Sequence, residues 1–327
     1  MNEFTTGQIP DQAPDTLGRD DDAVAAFQIE ARPVSGRIAR LGAVADQIIG
    51  AHNAPVSVSA LTGEAVLLAL LIGDTLKFKG RLVVQASGAN AAPGGVDGQG
   101  AVSFVVADYV PGEGVRGYAR YDAEKVAALE AEFGPRPGAE RLLGAGSFAM
   151  TLDQGSDMDS YQGVVALDGP SLASCAEHYF AQSEQVPTRI RLAVGQEMLT
   201  GGETRWRAGG AILQRIAGDE NRGDDPHAFD DARVLFDTVE DSELLDPNVS
   251  SGRLLYRLFH EEGVRLHGSR PVERRCTCDR ERLVRILAGF PPEDHAEMMQ
   301  DGQIVMTCQY CNRDWGFDAA EVAAAGR

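Results

Sequence analysis

No Gly-x-x-x-x-Gly-Lys-Ser/Thr loop occurs in the 327 residues, so the chain carries no visible apparatus for ATP-driven chemistry. Basic residues are also short: 30 Lys and Arg stand against 49 Asp and Glu, a formal net charge of −19. That balance argues against nonspecific binding to nucleic acid or to an anionic membrane, because both rest on an excess of Lys and Arg. Long apolar runs are lacking; the longest, residues 65–72, falls far short of a membrane span. The opening Met1-Asn2-Glu3-Phe4 has neither a basic nor an apolar leader region, so no secretory signal is expected. Cysteine is scarce, five in all, and its distribution is the informative feature.

Four of the five cluster near the C-terminus: Cys276 and Cys278 as Cys-x-Cys, then Cys308 and Cys311 as Cys-x-x-Cys, with 29 residues between the pairs. Two close thiol pairs at this separation can converge from two loops on one tetrahedral metal, and four thiolates select zinc over harder cations. A closed four-sulfur site leaves no open coordination position, which argues against a hydrolytic zinc. The site is then a scaffold or a switch. Four free buried thiols, or two local disulfides in an exported protein, are the other readings of the same residues. The basic run 270–275 just before Cys276 would favour thiolate over thiol. Thiolates are oxidisable, and each cysteine has a neighbour in its own pair that can resolve the product to a disulfide. In a small metal-dependent module roughly 10–16 kcal/mol of zinc binding is also folding energy, so loss of zinc should unfold it. Cysteines in zinc spacing point to the reducing cytosol.

Along the chain, residues 1–22 are polar and acidic without apolar periodicity and read as a disordered tail. A strand is expected over 24–29. Ser35 is positioned to cap a helix in which Ile38, Leu41, Val44, Ile48 and Ile49 recur at helical spacing. A second helix over 60–76 is apolar on nearly all sides between Glu64 and Asp74, as suits the centre of a domain. Strands are expected over 81–86, 102–107 and 115–120, with a Gly-rich hairpin loop over 88–100. Gly112-Glu113-Gly114-Val115-Arg116-Gly117 matches the bare spacing of a dinucleotide fingerprint, but it leads into a strand and offers a phosphate no helix N-terminus. A helix over 122–133, strands over 147–153 and 162–167, and a helix over 171–185 capped by Ser171 follow. Cys175 falls on the apolar stripe of that last helix and reads as a core residue, with His178 at its rim. Strands over 189–194 and 204–208 run into Gly209-Gly210, which suggests a tight turn or close backbone packing before residues 211–214.

The composition shifts at Gly218: residues 219–262 hold 13 acidic and 4 basic side chains. Helical patterns over 229–239 and 249–259 carry Leu235, Phe236, Leu254, Leu255, Leu258 and Phe259 as apolar anchors. Such helices need a docking surface, for which the C-terminal module is the nearest candidate; a solvated arm with no role is the other reading. Within the module, helices are expected over 280–287 and 293–301, and a hairpin over 303–307 and 314–317 around Cys308 and Cys311, with Trp315 and Phe317 supplying most of the core. Met298 and Met299 read as packing residues.

With these features in hand the chain resembles the 33-kDa heat-shock protein family of redox-regulated chaperones. The resemblance rests on the cysteine pattern behind an acidic helical linker and on core stretches in the family's order. These include Leu76-Lys77-Phe78-Lys79-Gly80-Arg81-Leu82, Gly117-Tyr118-Ala119, Tyr161-Gln162-Gly163, residues 179–185 with Pro187-Thr188, and Gly209-Gly210-Ala211-Ile212-Leu213-Gln214. It covers nearly the whole chain from about Ala23, while the earlier tail and the loop near Gly95 look like additions. It implies an ATP-independent holdase, not an enzyme, inactive when reduced and switched on by oxidants together with unfolding conditions. Cys276, Cys278, Cys308 and Cys311 would ligate one zinc, and on oxidation Cys276 would pair with Cys278 and Cys308 with Cys311. It also implies unfolded client proteins as partners, a linker that unfolds on activation, and a homodimer when oxidised.

The expected fold is α+β. The core of mainly antiparallel sheet spans 23–218 after the tail 1–22, followed by an acidic helical linker over 219–267 and a zinc-binding redox-switch module over 268–327. A deaminase-type zinc enzyme would want a His-x-Glu together with a Pro-Cys-x-x-Cys, and that set does not appear because no Pro-Cys-x-x-Cys occurs in the chain. A zinc-ribbon adaptor for nucleic acid or a fixed protein partner draws on the arginines at 270, 274, 275, 280, 282 and 285. Against it, the module from Gly268 onward has 8 basic and 10 acidic residues.

Overall fold

The computed structural model describes residues 21–76, 78–88, 100–155, 160–218, 223 and 225–325. The expected tail up to residue 20, nearly all of the Gly-rich loop and the first residues of the acidic stretch lie outside the described residues. The chain divides into two compact units, Met1–Arg274 and Arg275–Arg327.

The first unit is built on two antiparallel sheets. One contains β1 (Ala23–Ile29), β2 (Val34–Leu41), and later strands described below; between the sheets come α1 (Ala43–Ile49) and α2 (Val56–Thr75). The second contains β3 (Arg81–Gly88), β4 (Val102–Val110) and β5 (Gly114–Tyr121); after α3 (Ala123–Phe133) and α4 (Ala139–Leu143) it is completed by β6 (Gly146–Asp153) and β7 (Tyr161–Ala166), in the order β5-β4-β3-β6-β7. The chain then passes through α5 (Leu172–Tyr179), extended by a π-helical turn Phe180–Glu184, into β8 (Thr188–Met198) and β9 (Thr204–Arg215). These return to the first sheet beside β2, in the order β1-β2-β9-β8.

Helix α2 lies in the core formed with residues of both sheets, including Val84, Val105, Phe148, Ala39, Leu41 and Ile212. Its apolar sequence follows from this placement: a helix covered on every side has no face to leave polar. By length and composition alone α2 could cross a membrane, but it is buried within the protein. Cys175, on α5, is 1% exposed and belongs to the same core, as its place on the apolar stripe suggests. Ser171 caps α5 as expected, its Oγ accepting from the Ser174 amide at 3.2 Å.

Two readings of local structure are corrected here. Residues 34–41 form a strand, not the start of a helix; β2 pairs with β1 on one side and with β9 on the other along its whole length. Its last four residues are all buried, which blurs the period of two and lets the apolar positions pass for helical spacing. The pair Gly209-Gly210 does not end a strand, because β9 runs straight through it. The close-packing reading holds instead: a Cβ on Gly209 would lie 2.2 Å from the carbonyl oxygen of Leu244. The spurious nucleotide motif is likewise resolved. Gly114 has φ +118° and a Cβ there would meet the Glu273 carbonyl oxygen at 2.1 Å, so its glycine serves a backbone approach.

The acidic stretch forms α6 (Ala228–Phe236), α7 (Asp241–Leu245) and α8 (Ser251–Phe259), then the short strands β10 (Val264–Leu266) and β11 (Arg270–Pro271). The helices dock on the first sheet, through the face opposite α2. Phe229, Phe236, Leu244, Leu255 and Phe259 pack with Phe27, Ile29, Ile38 and Leu213, whereas the alternate residues Ala39 and Ile212 face α2. Phe27 and Phe259 stack with ring centroids 6.4 Å apart. The docking surface sought for these helices is therefore this sheet, where the sequence alone had suggested the C-terminal module. Strands β10 and β11 both pair antiparallel with β1 and complete the sheet at that edge.

The second unit holds α9 (Arg280–Leu287), α10 (Pro292–Glu297), β12 (Met299–Gln300), β13 (Gln303–Thr307), β14 (Asp314–Phe317) and α11 (Ala319–Ala325). Its sheet runs β12-β13-β14. The helix expected over 293–301 stops at Glu297, since Asp301 and Gly302 both take positive φ and fold Met299 back against Ile304. The core comprises Leu283, Val284, Leu287, Ile304, Phe317 and Val322, with Trp315 and Met298 only partly buried against it. Phe317 meets expectation; the α9 leucines contribute more than Trp315 does.

Candidate metal centre

The two cysteine pairs occupy the two kinds of local structure that can present thiols at fixed angles. Cys276 and Cys278 lie on the extended segment entering α9, whose N-cap is the next residue, Asp279; its carboxylate accepts from the Arg282 amide at 2.8 Å. Period-two geometry separates neighbouring side chains and puts both thiols on one side of the segment. Cys308 and Cys311 lie in the turn between β13 and β14. That turn is closed by Cys308 N–H donating to the Arg313 carbonyl at 3.0 Å and by Asn312 N–H donating to the Cys308 carbonyl at 2.7 Å. Asn312 takes the left-handed φ of 53° that reverses the chain. Thr307 Oγ1 donates to Asp314 at 2.6 Å at the mouth of the hairpin.

All four sulfurs lie within 4.8 Å of one another. Cys276 and Cys278 are 3.1 Å apart, Cys278 and Cys311 3.5 Å, and Cys276 and Cys308 3.8 Å. All are free thiols, half-buried, and far outside bonding distance. A tetrahedron with metal–sulfur bonds of about 2.3 Å has edges of about 3.8 Å, so the spacing fits one four-coordinate ion. Among the described residues this is the one group of three or more potential ligands drawn together in this way. The expected set Cys276, Cys278, Cys308 and Cys311 is thus brought together complete.

The electrostatics of the protein alone are asymmetric. Burial, reinforced by hydrogen bonds among the thiols, pushes Cys278 far above the ordinary thiol value. Cys311 is also raised by burial. At Cys276 burial acts in the same sense but is outweighed by hydrogen bonds from Cys278, Cys311 and Cys308, and its value falls. The crowding of the thiols thus eases ionisation at Cys276 and opposes it at Cys278 and Cys311. The shift arises from the thiols themselves. Of the arginine run expected to supply it, Arg270 pairs with the buried Asp74. Beyond that run, Arg282 Nη1 donates to Thr277 Oγ1 at 3.2 Å.

Two features of the module escaped sequence reading. Arg280 clamps α11 by a two-pronged ion pair with Glu321, at 2.9 and 2.6 Å, and its guanidinium stands 4.7 Å from the Phe317 ring centroid. Arg313, beside Cys311, covers the Trp315 ring at 4.2 Å.

Comparison with known proteins agrees with this layout. The family model described as Hsp33 protein matches residues 22–318. A 33 kDa chaperonin of Caulobacter vibrioides is 51% identical over 311 residues, covering 95% of this chain and 99% of its own. A 33 kDa chaperonin of Serratia proteamaculans is 33% identical over 304 residues, 93% of this chain and 94% of its own. The crystal structure of the Hsp33 homolog of Thermotoga maritima superposes with a TM-score of 0.73 over 93% of this chain and 97% of its own, at 20% identity, a likeness of fold. The fold, the cysteine cluster and these matches lead to one conclusion: the chain belongs to the Hsp33 family of chaperones.

Proposed function

We propose that the protein is a redox-regulated, ATP-independent holdase whose reduced, zinc-bound form is inactive. The observation that carries this reading is the convergence of four free thiols in a unit whose buried apolar core, among the described residues, numbers six side chains. Zinc, when bound, would cross-link the segment before α9 to the β13–β14 turn and supply folding energy that so small a core lacks.

The thiols are the sensor. A peroxide-class oxidant takes two electrons from one cysteine thiolate, which becomes a sulfenic acid, and the neighbouring thiol expels water to form the disulfide. Each disulfide thus costs one peroxide, which is reduced to two waters, with the two thiol protons retained in the products. Cys276 with Cys278, the pair at 3.1 Å, and Cys308 with Cys311 are the proposed disulfides. Both leave the segments without four thiolates to tie them together. The module would unfold, and the chain entering it at Arg274 would lose its fixed end. The acidic segment 219–267 then leaves the sheet, uncovering Phe27, Ile29, Ile38 and Leu213 together with its own anchors Phe236 and Phe259. The domain division 23–218, 219–267 and 268–327 belongs to this proposal, as do a cytoplasmic setting and an oxidised homodimer.

The test is light scattering of a heat-unfolding client mixed with reduced, zinc-loaded protein or with protein oxidised at elevated temperature, while a chromophoric chelator reads free zinc. Suppression of aggregation by the oxidised sample alone, with zinc appearing in solution, is expected. Retained zinc, or no suppression by either sample, overturns the reading and leaves the cysteines as a fixed staple.

A further inference from the structure

One edge of the first sheet is closed by the chain's own later segment. Strand β1 pairs with β2 on its inner side through all seven residues. Its outer side is taken by a strap of residues 262–272. The Ala31 and Glu30 amides donate to the carbonyls of Glu262 and Gly263 at 3.1 and 2.9 Å; the amides of His267 and Val272 donate to the carbonyls of Ala26 and Asp22 at 2.8 and 2.7 Å. Gln28 stands opposite Arg265, so by alternation its amide also faces the strap. The strap is short of intrinsic strand structure, with two and three paired residues broken by Gly268 and Ser269.

The strap reads like a bound peptide. Val264 and Leu266, two residues apart, pack against the apolar cluster under α6 and α8. Arg265 between them donates to Glu30 Oε1 at 3.2 and 2.8 Å. Its far end is fastened by Arg270 on the buried Asp74 and by Val272, 4% exposed, in the main core. Four residues further on is Cys276.

We propose that the outer edge of β1 is a client-binding site, which accepts an extended polypeptide segment as an added antiparallel strand, and that the strap occupies it in the inactive state. The preferred segment has apolar residues at alternate positions with a basic residue between them, after the pattern Val264-Arg265-Leu266 and its Glu30 partner. Main-chain hydrogen bonds give such a site breadth of sequence, as a holdase needs, and the alternate pockets give it a bias. Every unfolded chain carries unpaired backbone; few carry any one side-chain motif. The inference rests on the holdase reading for the release of the strap.

The experiment uses full-length protein and a fluorescent synthetic peptide of residues 262–272, with a version N-methylated at the two amides that face β1, those of Arg265 and His267, and a scrambled version. Oxidised protein should bind the parent peptide and reduced protein should not, and N-methylation should weaken binding by about tenfold or more. In parallel, hydrogen exchange at the Gln28 and Glu30 amides should quicken on oxidation and slow again by about tenfold or more when client is held. Client held with Gln28 and Glu30 left in rapid exchange overturns the edge site while leaving the holdase reading intact. If no client is held, the holdase reading fails by itself, and the peptide decides the edge: binding sensitive to N-methylation supports it. Absence of binding, or binding equal to that of the methylated and scrambled peptides, overturns it.

Discussion

Arg40, 1% exposed near the C-terminal end of β2, donates from Nη1 to the main-chain carbonyl of Asp246 at 2.7 Å and from Nη2 to that of Glu243 at 2.6 Å. A buried cation thus grips the C-terminal carbonyls of α7, where the helix dipole is negative. Arg207 Nε adds a third bond to the Leu245 carbonyl at 2.8 Å, and Arg191 a fourth to that of Val239 at 2.9 Å.

Replacing this grip should free the acidic segment without any oxidant. Arg40→Leu removes two charge-assisted hydrogen bonds and strands two carbonyls, a loss of about 3 kcal/mol. Limited proteolysis of the reduced variant should then cut between residues 237 and 250, and zinc content should match that of the parent.

A steric wedge offers the same outcome by a different route. The Cβ of Gly209→Ala would stand 2.2 Å from the Leu244 carbonyl oxygen, so either α7 or β9 must move. Overpacking of this kind costs about 1–3 kcal/mol. Earlier protease cleavage within α7, with unchanged circular dichroism of the rest, is the expected result; intact α7 would show that the strand yields instead.

At the metal centre, Cys278→Ser or Cys311→Ser should weaken zinc binding by more than about a hundredfold, measured by competition with a chromophoric chelator. The same variants should loosen the Leu287–Phe317 core, read as quenching of Trp315 fluorescence by iodide in the absence of oxidant. Unchanged affinity in both would remove the four-thiolate assignment.

Glu64, on α2, faces a cavity of about 200 Å³ with Arg136 and Asp241. Burial raises its carboxyl to about 7, against the Leu172 amide hydrogen bond and Arg136, which favour ionisation, and with Asp241, which opposes it. A carboxyl whose folded value lies above its unfolded one holds its proton more tightly in the folded state. Its contribution is therefore complete below about pH 4.5 and is lost as pH rises through about 7. Glu64→Gln should leave Tm unchanged at pH 4 and raise it by about 5 °C at pH 8, followed by thermal melts across that range.

Much of the molecule was legible because its signals are local. The thiol spacing marks a convergent site, the all-round apolar run of α2 marks a buried helix, and Ser171 marks a cap. What escaped is set by partners far away in sequence. Strand β2 looks helical until β1 and β9 flank it, and β10 has three residues that become a strand only beside Phe27, Gln28 and Ile29. Helix α7 has five residues and depends on arginines from β2 and β9. The sheet's role as the dock for α6 and α8 was hidden for the same reason: an amphipathic pattern states that a face is buried, never against what. The hairpin at Asp301-Gly302 was different, since that dipeptide is a local turn signal and could have been read.

The four arginine bonds to α7 and its flanks all end on main-chain oxygens, at Val239, Glu243, Leu245 and Asp246. A peptide carbonyl is the same whichever residue bears it. The dock therefore makes little demand on the identity of the outward-facing side chains over this stretch, provided the anchors Phe236 and Leu244 and the turn itself remain. An exposed position such as Ser242 is thus free to drift, and a library randomised there should still fold closed. Selection can then tune how readily the segment lets go, one exposed charge at a time, without redesigning the surface that holds it.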